Sequence, residues 1–284
     1  MTAPVVFTSR AIAALAVRGI LFAALVVFLF FPVYWMVATS FRPQNEVFVQ
    51  FPTLFPHAPT LANFVRAWSQ SDLPLYLRNS LLTAGGSALL TTALATLAAY
   101  GFAKYRFFAR KPLMYLMISA QMFPFAVILI SIYSLLQSLG LLNTLAGLTV
   151  AYIVFALPAA IYILYSFFMR LPDELIEAAR IDGASELRIL TRIVLPLSGP
   201  ALIAVGIYSF MWAWNDLLYS LTLITRDDSR TIGPGLLLAF FGEMQQDWAG
   251  AMAASILASL PAVVVFGVLQ RYFVQGLTAG AVKS

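Results

Sequence analysis

Long apolar runs cut by short clusters of charge dominate this chain. A bilayer core about 30 Å thick takes roughly 20 apolar residues of α-helix, because each residue rises about 1.5 Å. Segments without Asp, Glu, Lys or Arg therefore predict membrane spans. Gly19–Phe41 lies between Arg18 and Arg42, and Asn79–Ala103 lies between Arg78 and Lys104. The charge-free stretch Pro112–Met169 is too long for one span. Its polar dip at Gln137-Ser138 and Asn143-Thr144 divides it into spans over 112–136 and 147–169. A fifth span is predicted over 198–220 and a sixth over 248–270. The expected fold class is all-α: a polytopic membrane helix bundle of six transmembrane helices, read as one domain over 1–284.

Composition agrees with that class. Hydrophobic residues make up 61% of the chain and charged residues 10%, with a mean hydropathy of +0.88. A soluble domain carries about 25% charged residues to hydrate its surface, so this surface must face lipid. The absence of cysteine and the single histidine, His57, exclude disulfide frameworks and clustered thiolate or imidazole metal sites. Six spans put both termini on one side, and charge chooses the side. Of 17 Lys and Arg residues, only Arg42, Arg66, Arg78, Arg226 and Arg230 fall on the opposite side. The termini are therefore expected in the cytoplasm of a bacterial or archaeal cell, with Lys104–Lys111 as the main topology anchor. The first apolar run is longer than the 7–15 residues of a signal peptide and is read as a retained span.

Within the second span, Ala84, Ala88, Thr92 and Thr96 recur every four residues beside Gly85, Gly86, Ser87, Ala95 and Ala99. Small residues at that spacing let helix backbones approach closely in lipid, which predicts a span buried in protein. Pro32, Pro124, Pro158, Pro200 and Pro261 each remove a backbone donor in or beside a span, either bending helices around a pathway or making generic kinks.

Between spans four and five the character changes. Arg170–Arg192 holds four basic and five acidic residues, so the loop 170–196 is hydrated. It reads as two short helices. Pro172 and Asp173 suit a first turn, Leu175, Ile176 and Ala179 share a predicted face, and Gly183 suits a left-handed helix end. Ser185 is a plausible N-cap for the second helix. Such a bent pair suits a cleft on another protein, or else packs under its own bundle.

The spacing Glu177-Ala178-Ala179, three residues, Gly183, nine residues, Ile193, one residue, Leu195-Pro196 resembles the E-A-A-x3-G-x9-I-x-L-P signature of membrane subunits of binding-protein-dependent ABC importers. Trp214-Asn215-Asp216 and the tail from Gln275 through Gly276, Leu277, Thr278 and Gly280 to Lys283 are similar to the carbohydrate-uptake branch, in its shorter, MalG-type permease. The resemblance runs from Phe30-Phe31-Pro32 onward. It implies that Glu177, Ala178, Ala179 and Gly183 form a cytoplasmic coupling helix docked on an ABC ATPase, with Ile193, Leu195 and Pro196 setting the return into span five. It implies that the tail 271–284 reaches between two ATPase copies. It also implies a second permease subunit, an extracytoplasmic substrate-binding protein that could be a lipoprotein, and contact of that protein with the outer loop Arg226–Asp247, which carries Asp227, Asp228, Glu243 and Asp247.

No G-x-x-x-x-G-K-[ST] loop occurs, so the chain is expected to be no enzyme and to bind no cofactor, with ATP and Mg held by the partner ATPase. Asp216 is the one acid expected inside a span, where a carboxylate costs about 3 kcal/mol at the centre and less near the interface. It could bind substrate hydroxyls, gate the outer mouth or sit among headgroups. Asn215 and Gln121 are further pathway candidates, and Tyr208 could stack on a sugar ring. The alternative function is a secondary transporter or channel driven by an ion gradient, which needs intramembrane ionisable groups and often a repeat. Asp216 alone serves it poorly. An intramembrane enzyme lacks a nucleophile–base pair.

Overall fold

The computed structural model describes residues 9–51, 53–241 and 247–278, and among them all regular structure is helical. The chain divides into two compact units. The first comprises the described residues of Met1–Ser71 and Phe240–Leu257. It opens on α1, Ser9–Ser40, an unbroken helix despite Pro32. The apolar stretch of α1 is almost wholly exposed, as a helix meeting lipid must be. At its end the chain turns on Arg42, whose buried guanidinium donates to the carbonyls of Thr53 and Leu54 and lies over the Trp35 ring. Asn63 on α2, Ala62–Ser69, donates to the carbonyls of Ser40 and Arg42, both at 2.7 Å. These bonds satisfy carbonyls that the end of α1 leaves unpaired.

The second unit, Asp72–Ala239 and the described residues of Ala258–Ser284, contains the helical core. Its centre is three mutually packed helices: α3, Leu73–Lys104; α6, Leu145–Phe168; and α9, Gly199–Trp214. Between α3 and α6 come α4, Arg110–Ala120, and α5, Phe125–Ser138. After α6 come α7, Asp173–Ile181, and α8, Glu186–Leu197. Two short helices follow α9: α10, Leu218–Leu223, and α11, Ile232–Phe240. The last helix, α12, runs Trp248–Thr278 through Pro261 without a break.

Among the described residues, four helices are long and apolar enough to cross a membrane, and two bent pairs raise the number to as many as six. The spans expected over 79–103, 147–169 and 248–270 coincide with continuous helices, each beginning or ending within a few turns of the expected limits. The third does not. In place of one helix over 112–136, α4 and α5 meet at 102° around Gln121–Pro124. Pro124 has no N–H and disfavours helical backbone at Phe123, so the helix stops there. The fifth, expected over 198–220, is α9 alone, 16 residues or about 24 Å long. It is followed by a non-helical step at Asn215–Leu217 and then α10. Of the five prolines, Pro32, Pro158 and Pro261 lie inside unbroken helices, while Pro124 and Pro200 stand at helix starts.

The α3 helix is two-sided rather than buried all round. Ala84, Ser87, Ala88, Thr91, Ala95 and Ala99 are buried, whereas Leu81, Leu82, Leu89, Leu90, Leu94 and Leu97 face outward. A β-carbon at Gly86 would stand 3.6 Å from Thr149 of α6, and one at Gly206 of α9 would stand 3.8 Å from Thr92. The small face thus brings three helices close, as its spacing predicts.

Candidate functional site

Two constellations gather the predicted site residues, one on the coupling loop and one beside Asp216. In the loop, α7 carries Asp173 and Glu174 in its first turn and Arg180 in its last, which suits the helix dipole at both ends. Gly183 has φ of +76°. Its N–H bonds to the Arg180 carbonyl at 3.0 Å, and the Ala184 N–H reaches back to Ala179 at 2.9 Å. This pair of bonds is a Schellman end, which needs a left-handed residue at the glycine position. A β-carbon there would meet nothing within 4 Å, so backbone conformation and not space asks for glycine.

Ile176 and Ala179 are buried, and with Ile189, Leu190 and Val194 of α8 they join a core cluster formed with Ala99, Tyr100, Leu164 and Phe168. Leu175 departs from the predicted face. It is exposed, as are Ala178, Ile181 and Leu187, because adjacent helix positions point about 100° apart. The loop therefore both packs under the bundle and shows an outward apolar edge. Glu177 and Gly183 are exposed, Ile193 and Leu195 are half-buried against the core, and Pro196 is exposed.

Before Pro196 the helix widens into a π-wound turn over Leu190–Val194. A proline ring collides with the carbonyl four residues back in an α-helix, and the wider turn opens room there. At Ser198 the chain bends by 82° into α9.

Polar side chains fasten this loop to the core. Lys104, at the end of α3, donates to Asp173 at 2.7 Å and to the Leu171 carbonyl at 3.1 Å. Arg180 donates to Glu186 at 2.7 Å, and Tyr100 donates to the same carboxylate at 2.9 Å. The Lys104 ammonium holds the Asp173 carboxyl below its usual range. Arg180 first, then Tyr100, hold Glu186 low against the opposing effect of burial. Sequence reasoning treated Lys104 as a topology anchor and did not mark Tyr100. Their partners lie about 70 and 86 residues away, beyond any local pattern.

The second constellation lies where the fifth span breaks. Asp216 is buried and accepts from the Tyr219 N–H at 3.2 Å, the Ser220 N–H at 2.9 Å and the Tyr152 hydroxyl at 2.9 Å. The first two bonds cap α10, whose opening amides have no partner of their own. The Tyr152 bond ties that cap to α6. Asp216 and Asn215 line a cavity of about 740 Å³ together with Phe125, Tyr208, Trp212 and Phe266. Trp212 stacks on Phe155 at 4.1 Å and meets Phe125 edge-on at 5.3 Å. Gln121 is exposed at the end of α4 and is not among the lining residues. Nothing in the sequence singled out Tyr152, one tyrosine in a charge-free span.

On the outer segment, Asp227 pairs with Arg230 and Asp228 with Arg226. Asn79 of α3 donates to the carbonyls of Asp228 and Arg230. Asp247 pairs with Arg66 at 3.6 Å within the first unit. Glu243 and Gly280 lie outside the described residues, whereas Gln275, Gly276, Leu277 and Thr278 form the end of α12.

Comparison with known proteins places these features in context. Residues 91–279 match the family described as binding-protein-dependent transport system inner membrane component. The trehalose/maltose transport system permease protein MalG of Thermococcus litoralis is 36% identical over 255 residues, 89% of this chain and 91% of that protein. The sulfoquinovosyl glycerol permease SmoH of Agrobacterium fabrum is 35% identical over 89% of this chain and 88% of its own length. The diacetylchitobiose uptake permease DasC of Streptomyces coelicolor is 35% identical over 90% and 92%. A bacterial ABC transporter that imports alginate has a chain sharing the fold, with a TM-score of 0.85 at 18% identity, covering 95% of this chain and all of that one.

Proposed function

The chain belongs to the binding-protein-dependent transport system inner membrane components, and from that membership we propose that it is one permease of an ATP-driven carbohydrate importer, forming half of the translocation pathway. Three relatives named for saccharides or a sugar-derived glycerol, each matched along about nine-tenths of this chain, support the substrate class. The observation that carries the coupling role is the fastening of α7 and α8 to α3 by Lys104–Asp173 and Tyr100–Glu186–Arg180. A projection so tied moves with the helices that form the core.

In this reading the exposed edge of α7, with Glu177, Ala178 and Gly183, docks on a cytoplasmic ABC ATPase, present in two copies that hold ATP and Mg. Ala179, Ile193, Leu195 and Pro196 set the geometry of the lever. The other partners are a second permease and an extracytoplasmic substrate-binding protein that contacts the outer segment. Both termini lie in the cytoplasm, and Gln275, Gly276, Leu277, Thr278 and Gly280 reach the ATPase pair. Asn215, with Tyr208 and Trp212, meets sugar hydroxyls and ring faces in the cavity, and Asp216 holds the break that shapes it. Gln121 remains a pathway residue only if α4 lines the route with the partner permease.

The test is reconstitution of the purified complex in liposomes. Uptake that requires both ATP and the binding protein supports the proposal. Uptake by this chain alone under an ion gradient would overturn it.

A further inference from the structure

Where the ends of α3 and α4 meet the coupling helix, a polar cavity of about 230 Å³ lies against Lys104, Arg106, Arg110, Asp173, Glu177 and Arg180. Four cations from four segments face two carboxylates. Lys104 and Arg180 are already paired, with Asp173 and Glu186. Arg106 and Arg110 form no direct ion pair among the described residues, though Arg106 lies near enough to Asp173 to help hold its carboxyl low. Arg110 instead lies 5.7 Å from the centre of the Tyr165 ring, with a donor 3.3 Å from the Tyr165 hydroxyl and 3.3 Å from the Met169 sulfur. Four cations against two carboxylates leave the cavity with an excess of positive charge, and its two arginines without a direct ion pair offer forked donors to a phosphate.

Phosphate could reach this place free in solution or on a lipid, and the neighbouring segment favours lipid. Arg106 is followed by Phe107 and Phe108, and Phe108 is wholly exposed, touching nothing that would hold its ring from water. Tyr105 and Phe107 are also exposed. Exposed aromatics alternating with arginines at the end of a membrane helix suit the boundary between headgroups and acyl chains.

We infer that the phosphate headgroup of an anionic phospholipid binds in this cavity, on Arg106 and Arg110, with Phe108 in the acyl boundary beside it. Because Arg180 and Asp173 belong to α7, the bound lipid touches the coupling helix and the end of α3 together. This site stands apart from the sugar pathway and does not depend on the proposed substrate.

The test uses the assembled transporter in mild detergent, titrated with phosphatidylglycerol or phosphatidylcholine and read by native mass spectrometry. Each basic residue beside an anionic lipid is worth about fivefold in binding, so R106Q/R110Q is expected to weaken phosphatidylglycerol binding about twenty-five-fold and leave phosphatidylcholine unaffected. Equal phosphatidylglycerol binding by wild type and R106Q/R110Q would overturn the site. Displacement of bound lipid by millimolar inorganic phosphate would make it a soluble-anion site and overturn the lipid assignment. Phe108→Ser removes an exposed ring that supports no packing, and it is expected to weaken phosphatidylglycerol several-fold. Unchanged phosphatidylglycerol binding in F108S would overturn the placement of Phe108 in the acyl boundary beside the headgroup.

Discussion

Around Asp216 one buried carboxylate takes three hydrogen bonds at the break that follows α9, whereas around α7 and α8 two ion pairs and a tyrosine share the fastening at a charged loop. The first arrangement concentrates its dependence on one nearly enclosed carboxylate at the edge of a cavity. The second spreads it over several groups, of which the carboxylates and Arg180 meet water and salt while the Lys104 and Tyr100 side chains are buried. Burial therefore decides how much one substitution matters, even where the drawn bonds look alike. A buried donor left without an acceptor costs about 1–3 kcal/mol, while an exposed ion pair contributes about 0.2–1 kcal/mol.

The comparison breaks most readily at Asp216. Asp216→Ala strands the Tyr152 hydroxyl and two amides of α10, and is expected to lower stability by about 3 kcal/mol or more. Thermal unfolding of the purified complex measures this, and an unchanged midpoint would mean the cap does not hold the break. Tyr152→Phe removes one bond to a charged acceptor and leaves the cap in place, for an expected loss of about 1.5–3 kcal/mol. A larger loss than for Asp216→Ala would reverse the assigned order.

On the loop side, Gly183→Val forces a branched residue into left-handed backbone at a cost of about 1–2 kcal/mol. Its principal effect is expected on coupling: ATP hydrolysis by the assembled transporter should continue while uptake falls. Gly183→Asn, which tolerates that backbone better, should fall between, and equal uptake by all three proteins would remove Gly183 from the lever. The smallest effect is expected for the pairs. Asp173→Asn or Glu186→Gln should each cost about 0.2–1 kcal/mol, less in high salt. Both carboxyls are held low in the folded chain. Their contribution is thus present above about pH 4, where the unfolded groups ionise, and is lost as pH falls through the folded values. A loop that loosened instead as pH rose from 5 to 8, followed by hydrogen exchange, would contradict this sign.

Much of the scaffold was legible because lipid thickness imposes a length on every span. The uncharged runs over 79–103 and 147–169 largely coincide with the helices over 73–104 and 145–168, the first of which begins earlier and passes through Arg78. Hydropathy cannot see the break at Gln121–Pro124, since the residues on both sides are equally apolar, and three other prolines leave their helices intact. Gly183 was readable as a helix end because its role is local. Asp216 stood out as a lone acid, yet its acceptor role depends on Tyr152, 64 residues earlier, and on amides of a helix that exists only because the span stops. Local chemistry reads well from sequence, and chemistry assembled across helices does not.

The two faces of α3 give chance mutation an unequal hearing. A change at Leu94 falls on the exposed face, where any bulky apolar residue serves. One added methyl at Ala95 or Ala99, both wholly enclosed, must displace a neighbouring helix. Along a single turn, neutral drift and near-prohibition stand a few ångströms apart.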